Sequence, residues 1–248
     1  TDAAEQELGR KLDASRSRLH LLRELERSMD GYSGSVKSVM RAAQGRRLRG
    51  VIGPVSSLIR VKPGYETAIE IALGAAAQNI VVKNEAAAKA AIAFLRQEKA
   101  GRATFLPLDT IRAQTMDASR LYGSARVAAT LVQADEKYSR IVQNLLGRIV
   151  VVDDLNEASG VARSLDYRNR IVTVDGQVIN AGGSYTGGSL SRSAGIFTRR
   201  QEIEELKGRI AQLETQQQQA QQNTDKVKAE VDALTAQPNA ASSEGITV

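Results

Sequence analysis

Cysteine and tryptophan are absent from the 248 residues, and histidine occurs once, at His20. Without thiols there can be no disulfide, no thiolate zinc site and no cysteine nucleophile. A cysteine-free chain suits a reducing cytoplasm. A single histidine argues against His-rich metal centres and against a Ser-His-Asp relay. Aromatics make up only 4%, so the core has to be built from Val, Ile, Leu and Ala. No apolar run reaches the roughly 18 residues of a membrane helix, and the N-terminus lacks a signal-like apolar stretch, so no membrane partner is expected. The start at Thr1 and the abrupt end are what a piece of a longer protein would show. What is present, 42% hydrophobic and 25% charged residues, is the composition of one or two folded domains.

The net charge of +6 is unevenly spread. Residues 31–197 carry 22 Lys+Arg against 13 Asp+Glu, a balance of +9, and the flanks together carry 12 against 15. A basic middle suits a polyanionic partner, because clustered cations displace the counterions condensed on phosphates. A solvated basic surface with no partner would give the same count.

Both flanks have three-four spacing. Ile203, Leu206, Ile210, Leu213, Gln217, Ala220, Thr224, Val227, Val231 and Leu234 form an a/d seam, weakened across Gln216–Gln222. Leu8, Leu12, Ser15, Leu19, Leu22, Glu26 and Met29 repeat the pattern, and Leu21 and Leu25 widen it. Asp30-Gly31 is expected to stop the first helix and Pro238 the second. His20 lies beside the seam, as a solvated or packing residue. Neither seam can be buried alone, so the two helices are expected to pair antiparallel around the domain between them. Packing on a common core or on another protomer is the alternative.

The middle holds an internal repeat. Leu73-Gly74, Ile80–Val82, an Ala-rich helix Glu85–Leu95 and Arg102–Leu106 are echoed by Leu146-Gly147, Ile149–Val152, Glu157–Leu165 and Arg170–Val174. Each copy reads as strand, helix and strand, the last entered through an arginine. The fold class is therefore α/β (α+β): a head of two related strand-helix-strand subdomains, flanked by two helices that form an antiparallel coiled coil. The expected divisions are 1–30 for the first arm and 31–113 for subdomain I. A linker at 114–130, subdomain II at 131–197, the second arm at 198–237 and a flexible tail at 238–248 complete the chain.

Asn180-Ala181-Gly182-Gly183-Ser184-Tyr185-Thr186-Gly187-Gly188-Ser189 is the most informative local motif. It is not a phosphate loop, since no Lys-Ser or Lys-Thr follows and no βαβ fingerprint fits. Glycines in an extended segment permit close approach of another backbone, and a plain loop also uses them.

The chain from about Leu19 to Leu213 resembles the hinge domain of structural maintenance of chromosomes (SMC) proteins, of bacterial type. The resemblance rests on Gly50–Val55, Tyr65–Gly74, Gln78–Val82, Gly101–Leu108, Leu145–Arg148 and Arg170–Gly176 leading into the glycines. It implies a homodimer with Gly182, Gly183, Gly187 and Gly188 at the interface. It also implies arms leading to ATPase heads that are absent here. The parent protein would bind ATP there, and kleisin-type and accessory subunits elsewhere. It would act in chromosome condensation and segregation, on the nucleoid in the cytoplasm.

Hinges of this family also contact DNA near the coil root. Some relatives carry a lysine run after the glycines, where Ser191-Arg192-Ser193 offers one cation. The candidate phosphate contacts are Arg192, Arg199, Arg200, Arg46 and Arg47, with Arg41 and Arg49 nearby. Binding should be weak and without sequence preference, since no recognition helix is visible. Tyr32 and Phe197 could stack on bases, but burial suits them better. No enzymatic activity, cofactor or metal is expected, although Asp153-Asp154 after a strand is a pair that could hold a cation. A zinc hook is excluded by the lack of Cys-x-x-Cys. A coiled-coil spacer with no DNA role is the competing function.

Overall fold

The computed structural model describes residues 2–189 and 195–241. Two compact units emerge: Thr1–Ser28 with Glu202–Val248, and Met29–Gln201, the head.

The first unit is helical. Helix α1 spans Asp2–Arg27, and the last helix of the chain, which begins in the head, spans Ile196–Ala241. Leu19, Leu22 and Ile203 are buried together with Leu25, Leu206 and Ile210 packed on them. Arg18 pairs with Glu202 and Arg16 with Glu214, each at 2.7 Å, and Thr224 hydrogen-bonds Glu5. Partner numbers rise along one helix as they fall along the other, so the pairing is antiparallel, as expected from the seams. Glu202 holds the Arg18 guanidinium above its ordinary value, by hydrogen bond first and by charge second. Beyond Thr224 the seam residues Val227, Val231 and Leu234 are exposed. The expected stops are displaced. Helix α1 ends at Arg27, because Met29 takes the left-handed turn (φ 53°) before Gly31 (φ 87°). The last helix runs past Pro238 to Ala241. A proline so near a helix end removes one backbone donor without leaving many turns to break.

The head is a duplication longer than the sequence pattern revealed. After α2 (Gly34–Gln44), the first copy runs β1 (Val51–Pro54), α3 (Val55–Leu58), β2 (Ile59–Val61), α4 (Glu66–Leu73), β3 (Ile80–Val82), α5 (Glu85–Gln97) and β4 (Phe105–Pro107). The second runs β5 (Arg126–Val127), a 3-10 turn Ala128–Leu131, β6 (Val132–Ala134), α6 (Ser139–Leu146), β7 (Ile149–Val152), α7 (Leu155–Ser164) and β8 (Arg170–Thr173). In each copy the first strand lies antiparallel to the central strand and the last lies parallel to it. A hairpin, β9 (Val178–Ile179) and β10 (Tyr185–Thr186), extends the second sheet to the order β10-β9-β8-β7-β5. The last helix is α8.

The copies are joined by β2 and β6, paired antiparallel with Arg60 opposite Gln133, Ile59 opposite Ala134 and Val61 opposite Val132. Equivalent strands that pair about their own centre define a local two-fold relation between the copies. Residues 114–130, expected as a linker, contain β5 and the buried Ala128 and Ala129, so their end belongs to the second copy. A two-residue strand shows no alternation from which to read it. The arginines aligned by sequence are also not equivalent. Ile80 pairs with Phe105 while Ile149 pairs with Arg170, so Arg170 opens its strand whereas Arg102 precedes its own.

The central strands β3, β7 and β8 are buried on both faces, which accounts for the unbroken Val/Ile runs. Val81, Leu106, Val151 and Val172 point into a core shared by the two copies. Ile80 and Val82 face α2 and α5, and Val150, Val152 and Ile171 face α7. Full burial of each such side chain is worth about 1.5–3 kcal/mol. The two crossover helices start alike. Asn84 accepts the Ala87 N–H and Asp154 the Glu157 N–H, each at 2.9 Å. Such caps contribute about 1 kcal/mol each.

Candidate functional site

The glycine motif forms the β9–β10 hairpin. Asn180 N–H donates to the Ser184 carbonyl at 2.8 Å, and Gly183 N–H to that of Asn180 at 2.9 Å. Gly182, Gly183 and Gly188 have φ of 88°, 92° and 130°, values that side chains rarely adopt. Gly187 has an ordinary φ, but a Cβ there would run into Gln177 Oε1. Close approach of a second backbone, the reason expected for these glycines, is thus not needed to explain them: left-handed φ accounts for three and the Gln177 amide for Gly187. Strand β10 is the outer strand of its sheet. Ser184, Tyr185, Thr186, Gly187, Gly188 and Ser189 are all exposed and none is charged. The Tyr185 hydroxyl meets Ser159 Oγ of α7 at 3.1 Å, while Leu155, one turn earlier, is also exposed.

The second group of expected residues lies where the chain leaves the head. Arg199 is only 8% exposed, and its guanidinium donates to Asp30 Oδ2 at 3.1 Å and to the Asp30 carbonyl at 3.2 Å. Arg200 donates to the carbonyl of Ser56. Phe197 is buried in the shared core, and the Tyr32 hydroxyl meets Ser56 Oγ at 2.6 Å, so both aromatics are taken up by packing and hydrogen bonding. Arg199 and Arg200, expected as phosphate contacts, are engaged within the fold. Arg192 lies outside the described residues.

The remaining candidates lie at the end of α2. Arg47 pairs with Glu98 at 2.7 Å and lies over the Phe94 ring, 5.2 Å from its centroid. Arg41, Arg46 and Arg49 are exposed, and among the described residues no carboxylate lies within ion-pair distance of them. Arg46 sits at φ 58° in the turn that ends α2. Of the acidic candidates, Asp154 caps α7, and among the described residues no group of three or more ligating side chains could hold a metal. Asp117, in the strap before β5, has its carboxyl held below the usual range by hydrogen bonds from Ser119.

Ser56 and Gln177, which help hold these places together, stand in no motif of the sequence, while Asp30 stood out only as part of a helix stop and Glu70 only as part of the stretch Tyr65–Gly74. Each acts through a partner far along the chain or through a turn whose geometry spacing does not reveal.

The family of SMC flexible hinge domains matches residues 48–162. The chain is 39% identical over 221 residues to the chromosome partition protein Smc of Desulfitobacterium hafniense, covering 86% of this chain and 18% of that protein. It is 40% identical over 207 residues to its counterpart in Bacillus subtilis, covering 81% and 17%. A crystal structure of an asymmetric dimer of the Geobacillus stearothermophilus SMC hinge domain superposes with a TM-score of 0.81 at 33% identity, over 93% of this chain and 95% of that one. The chain belongs to the SMC hinge domain family. The hinge spans under a fifth of the length of the curated relatives it matches. The Pyrococcus furiosus SMC hinge is more distant, with a TM-score of 0.54 at 31% identity.

Proposed function

We propose that this hinge is the homodimerisation module of a bacterial Smc-type chromosome partition ATPase, joining two coiled-coil arms and having no enzymatic activity of its own. The observation that carries the reading is the edge strand β10. Sheet edges in monomeric proteins are blunted by brevity, charge, proline or bulges. Strand β10 is short, two residues, but the exposed stretch Ser184–Ser189 around it has no charge and no proline, and β10 pairs with β9 in regular register. The exposed Tyr185 and Leu155 beside it supply apolar area for a second copy. The relative from Geobacillus stearothermophilus crystallised as a hinge dimer, which supports the same partner. In this reading Gly182, Gly183, Gly187 and Gly188 shape the edge that the second copy meets, and their contribution is made through the hairpin. The heads that would bind ATP, and kleisin-type and accessory subunits, belong to the rest of the parent protein, acting on the nucleoid in the cytoplasm.

Light scattering of the chain tests this. Tyr185→Lys and Thr186→Lys, together, place two charges on the exposed edge without touching the core. The dimer mass should fall to that of a monomer; an unchanged dimer puts the interface elsewhere.

A second reading, weak DNA contact without sequence preference, is favoured by Arg41, Arg46 and Arg49. Three exposed arginines without described acidic partners, in a head of balance +9, suit a phosphate backbone. Arg47 joins them if DNA displaces Glu98. A coiled-coil spacer with no DNA role predicts no retention of DNA even at low salt.

A further inference from the structure

The chain enters the head through Met29–Tyr32 and leaves it through Ile196–Gln201, both inside the unit Met29–Gln201. The incoming segment is irregular, with positive φ at Met29 and Gly31, so no repeating backbone ladder holds it. Side chains do so instead. Gln78 accepts the Ser33 N–H at 2.8 Å and donates to the Gly31 carbonyl at 3.0 Å. Tyr32 bonds to Ser56, which is fully buried and also receives Arg200 on its carbonyl. Arg199 then reaches from the outgoing turn to Asp30. On the far side of that turn, Glu70 Oε2 accepts the Phe197 N–H at 2.9 Å, at the positive end of α8. Gly195 makes room for it: a Cβ there would sit 2.5 Å from Glu70 Cδ.

We infer that these groups form a polar latch holding the incoming segment against the first turn of α8, with Ser56 as its hub and Asp30 as its catch. Ser56 ties the two segments together, one through its hydroxyl and the other through its carbonyl. It lies on α3, three residues before β2, the strand that pairs the two copies of the head. A change in that pairing therefore has a short covalent path to both ends of the root. The catch is asymmetric. The Arg199 side chain is 10% exposed and that of Asp30 55% exposed. The pair opens from the wet side, and opening leaves the buried guanidinium without its carboxylate. Arg199 and Arg200 are positioning residues of this latch. The inference is independent of the dimer reading, since every group in it belongs to one chain.

A buried charge left without its partner costs more than a solvated one released to water. Asp30→Ala should therefore do more damage than Arg199→Gln, the reverse of what exposure suggests. Hydrogen exchange read by mass spectrometry on the whole chain tests this, with Ser56→Ala as a third variant. Asp30 is half in water, so its variant keeps the core. Asp30→Ala should speed exchange across 29–34 and 196–201 by roughly tenfold, while amides of β7 and β8 stay as in wild type. Arg199→Gln added to Asp30→Ala should return the rates to those of Arg199→Gln alone. Ser56→Ala removes the hydroxyl that holds Tyr32 but keeps the carbonyl that receives Arg200, so it should speed exchange across 29–34 and leave 196–201 nearer wild type. Unchanged root exchange in both Asp30→Ala and Ser56→Ala overturns the latch. So does a loss of labelled duplex DNA binding in Arg199→Gln that comes with wild-type root exchange. Light scattering of the same samples reports the dimer separately, and no change of mass bears on the latch.

Discussion

Gln177 grips Gly188 with both ends of its amide: Oε1 accepts the Gly188 N–H at 2.8 Å, and Nε2 donates to the Gly188 carbonyl at 3.3 Å. A side chain thus stands in for a strand beside the backbone that follows β10. Gly187 is small because this amide passes over it, and Gly188 is glycine because its φ of 130° excludes side chains. The two substitutions should therefore fail differently. Gly187→Ala pushes the end of a flexible side chain away and should cost little beyond two exposed hydrogen bonds. Gly188→Ala strains the backbone itself, by about 1–3 kcal/mol. Thermal melts of the two variants should rank Gly188→Ala below Gly187→Ala; equal melting temperatures would show that the backbone relaxes at no cost.

Dimerisation should belong to the head. Among the described residues, the apolar clusters of the head draw on residues between Met29 and Phe197, so the core lies within the unit Met29–Gln201. A protein trimmed to 29–201 keeps Arg199 and Arg200 on their partners and should weigh as a dimer at micromolar concentration. A monomer would sink the proposal that the head dimerises without its arms.

The arms should pair within one chain. Arg18 and Glu202, 2.7 Å apart and partly exposed, lie across the seam. The chain has no cysteine of its own, so Arg18→Cys with Glu202→Cys leaves one pair to bridge with a short bis-maleimide. The bridged product should run as a single chain on a denaturing gel. A band of double mass as the sole product would mean that the arms pair between protomers.

The strands Ile80–Val82 and Ile149–Val152 were legible because burial on both faces leaves an uninterrupted β-branched run. The seams were legible because a coiled coil repeats its demand every seven residues: Leu12, Ser15, Leu19 and Leu22 are buried as the spacing requires. The first half of each repeat was not, since β2, β5 and β6 have two or three residues and too little alternation to recognise. The glycines were visible as a motif but not for their reason, which depends on the φ of each and on Gln177. Arg199 illustrates the deeper limit. Composition counts it as one more cation, whereas Asp30, far away in sequence, decides whether it faces phosphate or the fold.

The DNA reading leads to a division among the arginines. Arg41, Arg46 and Arg49 surround the end of α2, exposed and away from any described carboxylate, whereas Arg199 is sheathed by Asp30. Phosphate contacts release counterions, so each lost contact lowers the slope of log affinity against log salt by about 0.9 on duplex DNA. Arg41→Gln with Arg46→Gln and Arg49→Gln removes three candidates without reversing charge, and should flatten that slope by up to about 3 units. Wild-type affinity should lie near 10⁻⁴–10⁻⁶ M at physiological salt, or weaker, as is typical of non-specific binding. Fluorescence anisotropy of labelled single- and double-stranded oligonucleotides across a salt series gives both quantities. The loss should be the same for unrelated sequences, because contacts to the backbone carry no sequence information. A slope that does not change moves the DNA surface away from α2. No binding by wild type at low salt leaves a hinge that joins arms and touches no DNA.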